Sequence, residues 1–225
     1  MNSLRQHLSK SPIHARVLPF FLILIPVFLR DMFGKDLRFW LYLGEMLLGG
    51  WCVWEMRSLV PEMRWTFSWE GAVIGVLVVV IWVGLDPWYP KNTLIASQGA
   101  PWNPFEHFGH GSALGWFFFL VRTVGTAVVV PPIEEVFYRS FLYRYLVRTR
   151  FEEMPLSRMH GLSFVVTSAL FGLMHFEWVA GILCGFAYQF LVVKKGRLGD
   201  AMFAHGITNF LLALYVYWKG AWNFW

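Results

Sequence analysis

Three short patterns in the second half of the chain put groups that can handle a proton and a developing negative charge at helical spacings. The first is Pro131-Pro132-Ile133-Glu134-Glu135-Val136-Phe137-Tyr138-Arg139. The second pairs Phe171 with His175, and the third pairs His205 with Asn209. Residues four apart share a helix face, so Glu135 and Arg139 can pair, with the acid N-terminal to the base as that pairing prefers. Glu134 points about 100 degrees away and is left without that partner. Two prolines can open a helix, and acids just after them gain from its N-terminal dipole. Taken alone, Glu-Glu-x-x-x-Arg reads as a charged helix start, and a lone His on an apolar helix as a hydrogen-bonded structural residue. Two His on separate apolar segments, each with a same-face companion, together with a spare carboxylate on a third, point to a reaction centre.

This set suffices for peptide hydrolysis without a protein nucleophile. Glu134 can take a proton from water, and His175 can share that water or protonate the leaving amine. His205 and Asn209 can donate hydrogen bonds to the oxyanion that forms. Other chemistries lack their residues. There is no H-E-x-x-H, no G-x-S-x-G, and no C-x-x-C to complete the H-x-E of His175-Phe176-Glu177; Gly199-Asp200 lacks the preceding glycine of an aspartyl intramembrane protease. No cofactor is implied, although Glu134, His175 and His205 could together bind a divalent ion such as zinc.

The elements that must position these groups are membrane helices. Of 225 residues, 57% are hydrophobic and 15% charged, and the mean hydropathy is +0.50, the composition of a membrane protein. Apolar runs near the roughly 20 residues that cross a bilayer fall at about 17–34, 38–56, 71–86, 112–130, 161–176, 178–193 and 199–218. The expected fold is all-α, a transmembrane bundle of about seven spans (six to eight) with the site inside. Residues 1–111 form N-terminal spans and an outer loop, and residues 112–225 the core that carries the motifs. Thirteen Trp and eight Tyr gather at the run ends, as at Trp65, Trp69, Trp88, Tyr89, Tyr217 and Trp218, where amphipathic rings suit the headgroup boundary.

The stretch Val17–Leu29 after Arg5, Lys10 and Arg16 has no small-residue cleavage site behind it, so it reads as a retained first span. Cys52 and Cys184 both lie in apolar runs, which supports neither a disulfide framework nor a Cys-based metal site. The net charge of +5 comes without a basic, aromatic-interleaved patch, so nucleic acid is not an expected partner. Basic residues concentrate between Arg139 and Arg158 and at Lys194, Lys195 and Arg197, which the positive-inside rule places in the cytoplasm. With seven spans the N-terminus is inside; Arg30, Lys35 and Arg38, accompanied by Asp31 and Asp36, argue weakly against this. The connection from Asp86 to Gly111 is then outside, the one place for a lid.

The ordered set Glu134-Glu135 to Arg139, Phe171 to His175 and His205 to Asn209 resembles the CAAX protease and bacteriocin-processing (CPBP, ABI) family of intramembrane glutamic endopeptidases, over roughly residues 112–212. The resemblance implies a conical helical bundle in which Glu134 is the base on a water shared with His175. It further implies an oxyanion site of His205 and Asn209, with Glu135 and Arg139 supporting the architecture beside the motif residue Phe171. Size, Trp content and the Pro-Pro-Ile-Glu-Glu segment are also similar to the bacterial members associated with exosortase systems.

One geometric demand follows. At about 1.5 Å per residue, His175 lies some 21 Å from Gly161 but His205 only about 9 Å from Gly199. For these to meet Glu134, either the 161–193 hairpin is shallow or the Pro131-Pro132 element is broken and partly re-entrant. The broken helix is the expectation, since irregular backbone is tolerated where it lines a wet cavity. The leading function is a membrane endopeptidase of the bacterial cytoplasmic membrane, acting near the C-terminus or a membrane-proximal segment of a protein or peptide substrate. The alternatives are a non-catalytic binding or immunity-type protein of the same fold, and a small transporter using Glu45, Arg122 and the histidines as a proton path, for which no internal repeat is present.

Overall fold

A computed structural model describes residues 3–29, 34, 37–93 and 101–225. Arg30, Asp31, Lys35 and Asp36, which bear on orientation, lie outside the described residues. Within them the chain is all-helical. Seven apolar helical segments follow in order: α1 (Pro12–Leu29), α2 (Leu37–Met56), α3 (Trp69–Leu85), α4 (Ala113–Tyr145), α5 (Gly161–Leu173), α6 (Trp178–Lys195) and α7 (Gly199–Lys219). Four helices are long and apolar enough to cross a membrane: Trp69–Trp88, Ala113–Tyr145, Trp178–Lys195 and Gly199–Lys219. Their outward side chains, such as Val73, Val76, Leu77 and Val80 on α3, are apolar and exposed, as a lipid-facing surface requires.

The Pro131-Pro132 segment differs from expectation. The helix is not broken there; α4 runs on through Pro131 and Pro132 to Tyr145. A proline ring inside an α-helix clashes with the carbonyl four residues back and leaves it without its N–H partner. The chain meets this with two π-helical stretches, Gly125–Val129 and Val136–Leu142, on either side of Val130–Glu135. The wider turn lets the helix continue, a common use of π-bulges at functional sites. Glu134 and Glu135 therefore sit in mid-helix, and the helix-dipole argument for their position does not apply. The depth demand is met from the other side: α5 has only 13 residues, about 20 Å, short of the roughly 30 Å hydrocarbon core.

Small residues let the site helices approach. A Cβ on Gly75 of α3 would lie 2.7 Å from the Ala204 carbonyl of α7, and one on Gly172 of α5 would lie 2.3 Å from Ile182 N of α6. Such contacts are the usual means of close packing where lipid removes the hydrophobic drive between helices. Across the first of them Thr208 Oγ donates to Gly75 O at 3.0 Å.

Polar ties gather at one end of the bundle. Arg16, fully buried, donates to Glu62 at 2.9 Å, and Arg144 reaches the same carboxylate at 2.7 Å. Ser140 also donates to it. Burial opposes ionisation of Glu62, but Arg16 and the hydrogen bonds from Ser140 and Arg16 outweigh it, holding its carboxyl below the ordinary 4.5. The start of α7 is fixed there too, where Thr66 Oγ1 donates to Asp200 at 3.0 Å. At the opposite end, residues 89–92 of the long connection dock on the α5–α6 turn. Asn92 Nδ2 donates to Leu173 O at 2.8 Å, and Trp178 Nε1 to Pro90 O at 2.9 Å.

Candidate active site

The π winding of α4 determines which backbone groups face α7. The N–H of Val130 bonds Gly125 O, five residues back, so Thr126 O is released from the ordinary four-residue ladder. Asn209 Nδ2 takes it up at 2.8 Å. The next carbonyl, Ala127 O, faces Pro131, which has no N–H to offer, and there α7 presents Gly206, whose Cβ would lie 2.7 Å from that oxygen. The prolines thus seat the His205–Asn209 stretch of α7 against α4.

Glu135, fully buried, has two partners through one oxygen: Arg139 Nη1 at 3.2 Å and His205 Nδ1 at 3.0 Å. The pairing with Arg139 follows from the four-residue spacing; the bond to His205 is a tertiary contact that the motif pattern does not contain. An ionised carboxylate can only accept, so Nδ1 of His205 carries hydrogen and Nε2 is left for other use. Tyr188 of α6 stacks on the same imidazole, with centroids 5.3 Å apart, and donates to Thr208 Oγ at 2.6 Å.

His175 lies in the turn after α5. Its Nδ1 is 2.7 Å from Phe171 O, a carbonyl that can only accept, so this ring too presents Nε2. Trp82 meets it edge-on with centroids 5.4 Å apart. The Phe171 ring lies under the Arg139 guanidinium at 4.2 Å and edge-on to His205 at 6.0 Å, which links the first and third motifs. Glu134 differs from its neighbour, as the 100-degree offset implies: its Oε2 is buried and accepts no hydrogen bond among the described residues.

These groups meet in one cavity of about 280 Å³. Glu134 from α4, His175 from the α5–α6 turn, and His205 and Asn209 from α7 line it, with Phe171, Tyr188, Thr126 and Thr208. Glu135 and Arg139 stand behind the wall. Of the other ionisable groups in the spans, Arg122 and Glu177 also line the cavity, whereas Glu45 does not. Toward the far end of α7 the lining adds Trp82, Phe224 and Trp225, so the cavity extends away from the Arg16–Glu62–Arg144 end. Among the described residues no three His, Cys, Asp or Glu side chains converge as metal ligands. Glu134, His175 and His205, the candidate triplet for a divalent ion, do not form such a group.

Sequence reasoning missed Tyr188, Trp82 and Thr126. A Tyr one turn after Cys184 in an apolar helix was a weak signal for the first; nothing local marks a backbone carbonyl such as Thr126 O.

Residues 107–211 match the family model of the type II CAAX prenyl endopeptidases, Rce1-like. Over this segment, just under half of the chain, the sequence is similar to the Rce1-like CAAX prenyl endopeptidases. The segment contains Glu134, Glu135, Arg139, Phe171, His175, His205 and Asn209, and the match supports a membrane protease. Neither the curated proteins nor the solved structures contain a match for the chain.

Proposed function

We propose that the protein is a glutamate-dependent intramembrane endopeptidase that hydrolyses a peptide bond of a membrane-associated protein near its C-terminus. The observation that carries this is the convergence of Glu134, His175, His205 and Asn209 from separate elements on one cavity. A carboxylate oxygen that accepts no hydrogen bond among the described residues, on a residue that lines a cavity of this size, is suited to hold and deprotonate a water. His175, with Nδ1–H fixed on Phe171 O, offers Nε2 to the same water. As the tetrahedral intermediate collapses, the C–N bond breaks and the proton taken from water passes to the leaving amine, by Glu134 directly or by His175.

The second N–H of the Asn209 amide remains for the oxyanion, since only one is used on Thr126 O. An Nε2–H on His205 requires the imidazolium, whose charge the Glu135 carboxylate offsets. Glu135, Arg139 and Phe171 act as positioning residues. The protein is read as a multi-pass protein of a bacterial cytoplasmic membrane with the N-terminus inside. On that reading the cavity extends toward the outer face, because the basic end of the bundle is cytoplasmic.

Mass spectrometry of the membrane proteome from cells with the wild-type protein or Glu134→Gln tests the reading. At least one protein should lose a C-terminal or membrane-proximal fragment only when Glu134 is present. Identical termini throughout the two proteomes would overturn it.

A further inference from the structure

Glu177 is a carboxylate of the cavity that the proposed hydrolysis does not use. It lies in the turn between α5 and α6, two residues after His175, is buried, and lines the cavity. It is also the N-cap residue of α6, where a polar side chain ordinarily turns onto the free N–H groups of the first helical turn. Here the side chain makes no capping bond, and Oε1 accepts no hydrogen bond among the described residues. Lys91 acts on the carboxylate electrostatically, but its ammonium is held by Asp86, 2.7 Å from Oδ1 and 2.6 Å from the backbone oxygen. A carboxylate buried in this way is costly unless a cation pairs with it.

The surroundings suit a cation that arrives with the substrate. The Trp82 indole stands beside Glu177, and Trp82, Phe176, Phe224 and Trp225 line the same cavity. Aromatic faces attract an ammonium or guanidinium, and a carboxylate adds the charge-assisted hydrogen bond. The turn is also held from outside: Asn92 Nδ2 donates to Leu173 O at 2.8 Å and Asn92 N to Phe176 O at 3.0 Å. Glu177 is thus positioned before substrate binds, which lowers the cost of recognition.

We propose that Glu177 binds a Lys or Arg side chain of the substrate and so makes a basic residue beside the scissile bond a condition of efficient cleavage; this rests on the peptidase reading. Two residues of backbone span at most about 7 Å, and an extended substrate advances about 3.3 Å per residue. With His175 at the hydrolytic water, Glu177 therefore reads a residue within about two positions of the cut. A neutral side chain there leaves the carboxylate unpaired, and a site with an unpaired buried polar group discriminates strongly against the ligand that fails to pair it.

The test uses the full-length protein in detergent and a pool of membrane-anchored peptides with a randomised membrane-proximal segment, the cut sites being read by mass spectrometry. A second pool carries acetyl-lysine for lysine and citrulline for arginine. At one position within two residues of the cut, wild type should favour Lys or Arg over Gln by about 10–100-fold in relative kcat/KM, and the preference should vanish in the neutral pool. Glu177→Gln should bring the ratio close to one, and Glu177→Asp, which keeps the charge, should retain part of it. A merely structural Glu177 would instead lower cleavage of both pools and leave the ratio as it was. The comparison in the wild type needs no variant to fold. Cleavage by wild type without a basic preference, or an undiminished preference in a folded Glu177→Gln, would overturn the role of Glu177 while leaving the peptidase standing. If wild type cleaved neither pool, the peptidase reading would fail and this inference with it.

Discussion

Replacing Glu135 by Gln separates the two adjacent glutamates by their energetics. Glu135 is fully buried and holds both Arg139 at 3.2 Å and His205 at 3.0 Å. Removing one member of a buried ion pair costs about 3–5 kcal/mol, because the other charge stays buried and uncompensated. The Gln oxygen can still accept the hydrogen bond from His205 Nδ1, so the lower end, about 3 kcal/mol, is expected. For a chain of this size each kcal/mol moves Tm by about 2–4 °C, giving a fall of about 6–12 °C in thermal unfolding of the purified protein in detergent. Activity should fall by about 10–100-fold as His205 loses its charged partner. Glu134→Gln, which replaces a carboxylate whose Oε2 accepts no hydrogen bond among the described residues, should shift Tm by less than about 2 °C. The double variant Glu135→Gln/Arg139→Met should recover part of the lost stability, since it removes the stranded charge as well. Unfolding of Glu135→Gln at the wild-type temperature, or an equal loss in Glu134→Gln, would refute the reasoning.

Further outcomes follow from the same contacts. Asn209→Ala should lower kcat by about a hundredfold with little change in KM, as loss of a transition-state donor does; a rise in KM alone would reassign the amide to substrate binding. Asn209→Asp should be at least as inactive and also less stable, because a carboxylate repels the Thr126 carbonyl it would face. Gly75→Ala places a methyl 2.7 Å from the Ala204 carbonyl and should cost about 1–3 kcal/mol; an unchanged Tm would contradict the close α3–α7 contact. Glu62 has a carboxyl held below its ordinary 4.5 in the folded protein, so its stabilisation is complete above that value and is lost as pH falls through the lowered one. Wild type should therefore lose Tm on acidification below about pH 4.5, and Glu62→Gln should be less stable near pH 7 and flatter in acid.

How much of this was legible in the sequence depends on the range of the interaction. The apolar runs announced a helical membrane bundle because each is a local property, and the four-residue spacings announced the Glu135–Arg139 and Phe171–His175 contacts for the same reason. The course of α4 was misread because proline rules describe an α-helix, whereas here π winding absorbs Pro131 and Pro132 and makes Thr126 O available to α7. The Glu135–His205 bond joins residues 70 apart in sequence, and no local pattern encodes it. Arg16 looked like a charge flanking the first span; it is instead buried against Glu62, which only the packing of α1 against the end of α4 reveals.

The central claim is that Glu134 activates the hydrolytic water, and its most direct test is kcat/KM of wild type and Glu134→Gln on one cleaved peptide, with Tm measured on the same preparations. The carboxamide keeps the size of the side chain but cannot take the proton, so activity should fall by about 10²–10⁴-fold at an unchanged Tm. Retention of more than about a tenth of wild-type activity by a folded Glu134→Gln would contradict the account.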